Sequence, residues 1–541
     1  MNFLRSSKFR TFALYLVIVA GVTSPIWCIQ DFAVQDGSAH VYNAFLMSQL
    51  TFNASHTNPQ LTLNTLTVPN SSGHWALMLL LQLFSAINAV KVMLILTYAL
   101  FVAVVGWLRS RAAVGSEGST TSLLLGAALG MNFFWFGGFF NFIIGVIGFL
   151  FLIALFTDWR ENFTRLRIAF VALILLAIYF SHIVTFGITA AGLFILAFWS
   201  TEKNKLRNCG YLLIALVPSV IFAIVYRLTT QSAEALEPSW RWLDESSSIF
   251  SFARNLLVDP FIIISRKTVP FSAVSSDILA IFSPGLWIFI CVALLLTFCS
   301  PLFSKKTDEV NKVGPYLILF ALLILGGWLA PTDFGLSNGS ILRERLMLCG
   351  LCLIVPVFSF QGRSTMRKII PFILVCVLIF QTVALWEYGL MTDRTVSEFA
   401  KAQSVISDND KIMTVVNIKD GFRFHSLVDP HLGLLTSVGK QTFVWDNYEI
   451  GHYLFPVITK SVDDRQFIQD LAISHVFVLN GPSDEFEETT KRLERAMEFG
   501  NGRFTKVMIW GRNERVEETL YNWFDPEPIY GSEHVLVLKH R

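Results

Sequence analysis

Apolar residues along this chain fall into runs of about 20, long enough to cross a bilayer core of about 30 Å as helices, and short loops bearing Lys or Arg separate many of them. Arg5, Lys8 and Arg10 precede the first run, residues 11–28, and place the N-terminus on the cytoplasmic side. That run is long enough to span and further runs follow it, so it reads as an uncleaved first helix and not as a signal peptide. Residues 74–86 are apolar but short and read as an amphipathic helix lying along the outer interface, after which residues 90–108 cross inward to Arg109 and Arg111. The signs then alternate. Runs 122–134, 168–180, 211–226, 315–330 and 369–386 lead outward. Runs 139–156, 184–199, 278–299 and 346–360 return to loops carrying Arg or Lys. The pattern predicts about eleven spans, with tight outer turns at residues 136–141 and 181–182.

Beyond residue 392 the period changes. A helical stretch at 396–406, strands in KIMTVVNI, QTFVW, HVFVLN, FTKVMIW and HVLVLK, and helices in DDRQFIQDLA and PSDEFEETTKRLERAME predict a compact α/β domain. At about 150 residues it can bury a core of its own. The predicted fold class is a polytopic α-helical membrane protein with a C-terminal extracytoplasmic α/β domain. The boundaries run 1–390 for the membrane domain, with outer loops at 30–88 and 227–277, and 391–541 for the outward domain.

Composition agrees with this pattern: 53% of the 541 residues are hydrophobic, 15% are charged and the mean hydropathy is +0.55, which excludes an ordinary soluble domain. The net charge of +2 is spread in short clusters between apolar runs, so nothing points to nucleic acid. Cys349 and Cys352 form a C-x-x-C inside an apolar run, with no second pair to complete a metal site, and read as packing.

Chemistry gathers in QDFAVQDGSAHVYN, residues 30–43, just after the first run. Asp36 and His40 are four apart and share a face if the segment is helical, so a carboxylate that takes a proton would stand beside an imidazole that orients it or meets an anion. Asp31 is the rival base. His182 is an ionisable group flanked by spans. Arg343 and Arg345 open a span on its outer side, where topology asks for no positive charge, and Arg suits bidentate phosphate contact. Arg254, in the long outer loop, adds a further phosphate candidate. Asp31, Asp36 and His40 offer oxygen and nitrogen ligands to a divalent ion, but no spacing compels one and no metal is assigned.

The stretches DGSAHVYNA, GGFFNFIIG and YFSH, with an acid soon after span one, a long outer loop and an outward tail, resemble the GT-C superfamily of glycosyltransferases. The resemblance covers roughly residues 1–388. It implies a multi-pass enzyme, of inverting type, in the bacterial inner membrane. Such an enzyme moves a sugar from a polyprenyl-phosphate donor to a lipid or glycan acceptor on the outer face, with Asp36 as base by analogy with the loop-one acid of the superfamily. The tail segment HLGLLTSVGKQTFVWDN is similar to the outward domain of such proteins, with no activity implied. No WWD-type motif occurs in the tail, which counts against the peptide acceptors of oligosaccharyltransferases. Two other classes compete: a transporter or flippase of lipid-linked saccharide, and a non-catalytic assembly protein that binds glycan. Charges concentrated at the outer mouth, not the midplane, weigh against the transporter.

Overall fold

The computed structural model describes residues 7–53, 58–112, 119–200, 202–230, 307–331, 341–357, 366–416, 431–473, 483–500 and 502–541. They divide between two compact units. Those within 7–24, 94–230 and 307–384 form one, and those within 25–93 and 385–541 the other. Predicted span 278–299, predicted strand 475–480 and most of the outer loop 227–277, Arg254 included, lie outside the described residues.

The first unit is helical because its runs are apolar around the whole helix, which suits burial or lipid on every side. Among the described residues four helices are long and apolar enough to cross a membrane: Ala86–Ala112, Phe140–Trp159, Asn204–Thr229 and Lys368–Val405. Four shorter apolar helices accompany them: Phe9–Val22, Thr120–Gly130, Ile183–Phe198 and Val313–Leu329. Among the described residues three predicted spans are broken, the first of them, 11–28, dividing at Thr23 into Ser7–Val22 and Ser24–Cys28. The run 122–134 stops at Gly130, and Asn132 caps a separate turn, Phe133–Phe136, by accepting the Trp135 amide at 3.0 Å. The run 346–360 begins four residues earlier and divides at Leu353 into Leu342–Cys352 and Ile354–Val357. Helix Phe140–Trp159 meets helix Ile183–Phe198 where Gly145 faces the Thr185 hydroxyl so closely that no side chain fits, the small-residue contact that lets helices in membranes approach.

Helix ends that the charge alternation assigns to one side do meet. Arg111 pairs with Asp158 at 2.9 Å, and Arg109 donates to the carbonyl of Pro356 at 2.7 Å.

Among the described residues the second unit carries seven strands: β1 (Leu61–Leu63), β2 (Lys411–Val416), β3 (Phe443–Val444), β4 (Val457–Thr459), β5 (Lys506–Trp510), β6 (Tyr530–Gly531) and β7 (Val535–Lys539). Five of them form a sheet in the order β3-β2-β5-β7-β6. β2 runs parallel to β3 and β5, while β7 is antiparallel to β5 and β6. All five residues of β5 are buried, as expected of a strand covered on both faces. Helices Val462–Ile473 and Ser483–Phe499 follow the predicted segments, and Glu514–Leu520 is an additional one.

The first polar loop is part of this core. Tyr42, Leu46 and Met47, on helix Gly37–Phe52, pack in one cluster with Met413, Val415, Trp445 and Ile450. β1 then pairs antiparallel with β4, Leu61 opposite Thr459. Asn43 and Asn447 exchange two amide hydrogen bonds of 2.9 and 3.0 Å. The short apolar stretch after this loop is a nine-residue helix, Ser72–Leu80, which at about 1.5 Å per residue is far too short to span.

Candidate functional site

In the helical unit, sequence-distant candidates come together. His182 joins helix Arg165–Ser181 to helix Ile183–Phe198 in extended conformation, which turns the chain and leaves its ring buried. Arg345 donates from Nη1 to His182 Nε2, 163 residues away in sequence. A guanidinium stays charged and only donates, so Nε2 is the accepting nitrogen here, while Nδ1 faces the Val184 amide at 3.3 Å. Three phenyl rings surround the cation, Phe134, Phe139 and Phe142, at 5.8, 5.9 and 5.2 Å from its carbon. Arg343, two residues earlier, is buried and donates from Nε to the Ala330 carbonyl at 2.8 Å. The helix carrying both arginines starts after Ile341, whose φ of 57° is a left-handed conformation that a β-branched residue adopts only under constraint. Buried Arg faced by aromatic rings is a cation held in low dielectric, suited to an anion that replaces water.

In the second unit, Asp36 occupies the N-cap position of helix Gly37–Phe52, 7% exposed, and its carbonyl accepts the His40 amide at 3.0 Å. Asp31 belongs to a different cluster. Its amide donates to Asp393 at 2.7 Å, and Lys91 donates to the carbonyls of Ile29 and Gln30. Partial burial and then the Asp393 charge raise the Asp31 carboxyl above its usual range, against the lowering effect of Lys91.

His40 shares its helical turn with Asp36, but its Nδ1 lies 2.6 Å from Glu449 Oε1. Glu449 Oε2 lies 2.8 Å from His74 Nε2, and the two imidazole nitrogens are 3.3 Å apart. His40, His74 and Glu449 are all buried. Burial alone would push the Glu449 carboxyl up, yet the charges of His74 and His40 and their hydrogen bonds hold it down to about 2. His431 interacts electrostatically with both Glu449 and His40, and burial lowers its pKa to about 4. The three-donor group that forms among the described residues is therefore His40, His74 and Glu449, and not Asp31, Asp36 and His40. Sequence reasoning missed His74 and Glu449. The one signal was proximity to quoted stretches: His74 opens the short apolar helix, and Glu449 follows the segment ending WDN by two residues.

No family model matches the chain, and no curated protein matches it by sequence. Solved structures do. ArnT from Cupriavidus metallidurans bound to undecaprenyl phosphate superposes with a TM-score of 0.53 at 9% identity, covering 98% of each chain. Its apo form gives 0.53 at 10% identity with the same coverage. Arabinofuranosyltransferase AftD from mycobacteria gives 0.50 at 11% identity, covering 99% of this chain and 40% of that one. The chain shares the fold of these structures over almost its whole length.

Proposed function

We propose that the protein is a membrane glycosyltransferase that moves a sugar from a polyprenyl-phosphate donor to a lipid or glycan hydroxyl on the outer face of a bacterial inner membrane, with inversion at the anomeric carbon. The observation that carries this reading is the buried Arg345, bound to His182 and ringed by three phenylalanines. The likeness to an ArnT structure that holds undecaprenyl phosphate supports it.

The reaction asks for two things. The acceptor oxygen forms a bond to the anomeric carbon as its proton passes to a carboxylate, and the bond to the lipid phosphate breaks with its electron pair leaving on phosphate oxygen. A phosphate leaves well as an anion, so cations placed where that charge develops serve better than a general acid. Arg345 is assigned to this anion, with His182 orienting its guanidinium and Arg343 and Arg254 as further phosphate contacts. Asp36 is assigned as the base and Asp31, with its raised carboxyl, as the alternative. His40 is a positioning residue for the helix that begins at Asp36.

The test is transfer of labelled sugar from membrane lipid extracts by purified wild type, Asp36→Asn and Asp31→Asn, with folding checked by thermal melts. Asp36→Asn is expected to lose about 100- to 10,000-fold in kcat with its melt preserved. Loss confined to Asp31→Asn moves the base there. No transfer by the wild type across varied extracts removes the reading.

A further inference from the structure

His40, His74 and Glu449 converge from three separate elements: the first turn of helix Gly37–Phe52, the start of helix Ser72–Leu80, and the 3-10 turn Tyr448–Gly451. One ligating atom of each lies within 4.8 Å of the other two. Protons satisfy this arrangement badly. Contacts of 2.6 and 2.8 Å to the carboxylate require N–H on both His40 Nδ1 and His74 Nε2. The same two nitrogens are 3.3 Å apart, so both protons would crowd one another, and moving either proton to the far side of its ring leaves a lone pair facing the carboxylate. A single cation at the centre accepts all three lone pairs at once. The nitrogen separation matches a tetrahedral site, whose ligand atoms stand about 3.3 Å apart for bonds of about 2.0–2.1 Å, and the nitrogen–carboxylate separations of 2.6 and 2.8 Å must widen to admit the ion.

We propose that His40 Nδ1, His74 Nε2 and the Glu449 carboxylate bind one zinc ion, with a fourth position open to water. Two imidazoles and one carboxylate are a zinc donor set, whereas magnesium and calcium favour oxygen ligands. Its effect is to fasten the first polar loop to the C-terminal sheet region, two segments 375 residues apart, and so to fix the helix on which Asp36 stands. This binding is independent of the transfer reaction proposed above.

The experiment is metal analysis of full-length protein purified in detergent without chelator. About one zinc per chain is expected in the wild type, and less than about a tenth of that in His74→Ala and Glu449→Gln. Because either variant could fail to fold, wild type stripped with a chelator and reloaded with Co2+ provides a second readout. Visible d–d absorption of tetrahedral Co2+ and recovery of the thermal midpoint lost on stripping are expected. Wild type that holds no metal and takes up neither Zn2+ nor Co2+ overturns the proposal, as does zinc retained undiminished in both folded variants. Iron or manganese as the resident ion overturns the assignment to zinc. Neither readout uses sugar transfer, so loss of the transferase reading and loss of this one are separable.

Discussion

Asp446 lies beside β2, where its Oδ1 accepts the Thr414 amide at 2.9 Å, and burial pushes its carboxyl up to about 7. In an unfolded chain the same group titrates near 3.9. Between those values the native state holds a proton that the unfolded state has released, so the contribution of this group to stability is greatest below about pH 4, falls as the pH rises towards 7 and levels off above it. Asp446→Asn should remove that slope, with the thermal midpoint at pH 8 rising towards the value at pH 5; an unchanged slope would place the titrating group elsewhere. Asn43 and Asn447 make a second prediction. Removing either amide by Ala leaves its partner buried and unsatisfied, at a cost of about 1–3 kcal/mol, whereas the double variant should cost less than the two singles together in chemical denaturation. Strict additivity would mean the pair does not interact. At Arg345 the test is substitution by Lys, which keeps the charge and loses the planar fork; a drop in kcat/KM of at least about tenfold is expected in donor titrations, and an unaffected enzyme would take Arg345 out of the site. The identities of Arg345 and His182 as candidates could be read from charge placed between spans, but their pairing could not, because nothing in one dimension relates residues 163 apart.

Helix Met366–Ala402 shows what local pattern reading does well and where it stops. Its apolar half and its amphipathic half were each recognisable, and the period change near residue 392 falls within one continuous helix. A single substitution tests that continuity: Thr392→Pro would remove a helical hydrogen bond and clash with the preceding turn, for about 3 kcal/mol or more in a helix interior, against little effect if a loop began there. Thermal melts of the purified variant decide between the two. The break at Gly130 to Phe136 is the opposite case, since Asn132 carried a cap signal that the apolar run around it concealed. Packing of helix on helix can be tested at Gly145. Gly145→Val must displace Thr185, and the overpacking is expected to cost about 1–3 kcal/mol, again read as a lower thermal midpoint.

At the scale of the whole chain, the polar loop after the first apolar run and the C-terminal region belong to one core, with β1 paired to β4 and Tyr42, Leu46 and Met47 packed among residues of the sheet region. A fragment of residues 391–541 alone would lack those partners and expose the apolar faces they cover; it is expected to give a broad, non-cooperative unfolding transition, and addition of a fragment covering residues 25–93 should sharpen it. A cooperative transition in the tail fragment by itself would show that the loop is dispensable to the fold. Most strands of the sheet were visible as alternating or continuous apolar runs, because burial on one or both faces leaves its mark on neighbouring residues. β1 was not, since three residues that pair with a strand almost 400 positions away leave no local period. Local pattern specifies what lies within one helical or strand repeat: which stretches are apolar throughout, where charge interrupts them, and that Asp36 and His40 stand one turn apart. Tertiary structure alone decided the partners. Arg345 meets His182, His40 meets His74 and Glu449, and the first loop joins the tail, because side chains separated by hundreds of residues are brought within 3–4 Å only by packing of the whole unit, which no local pattern encodes.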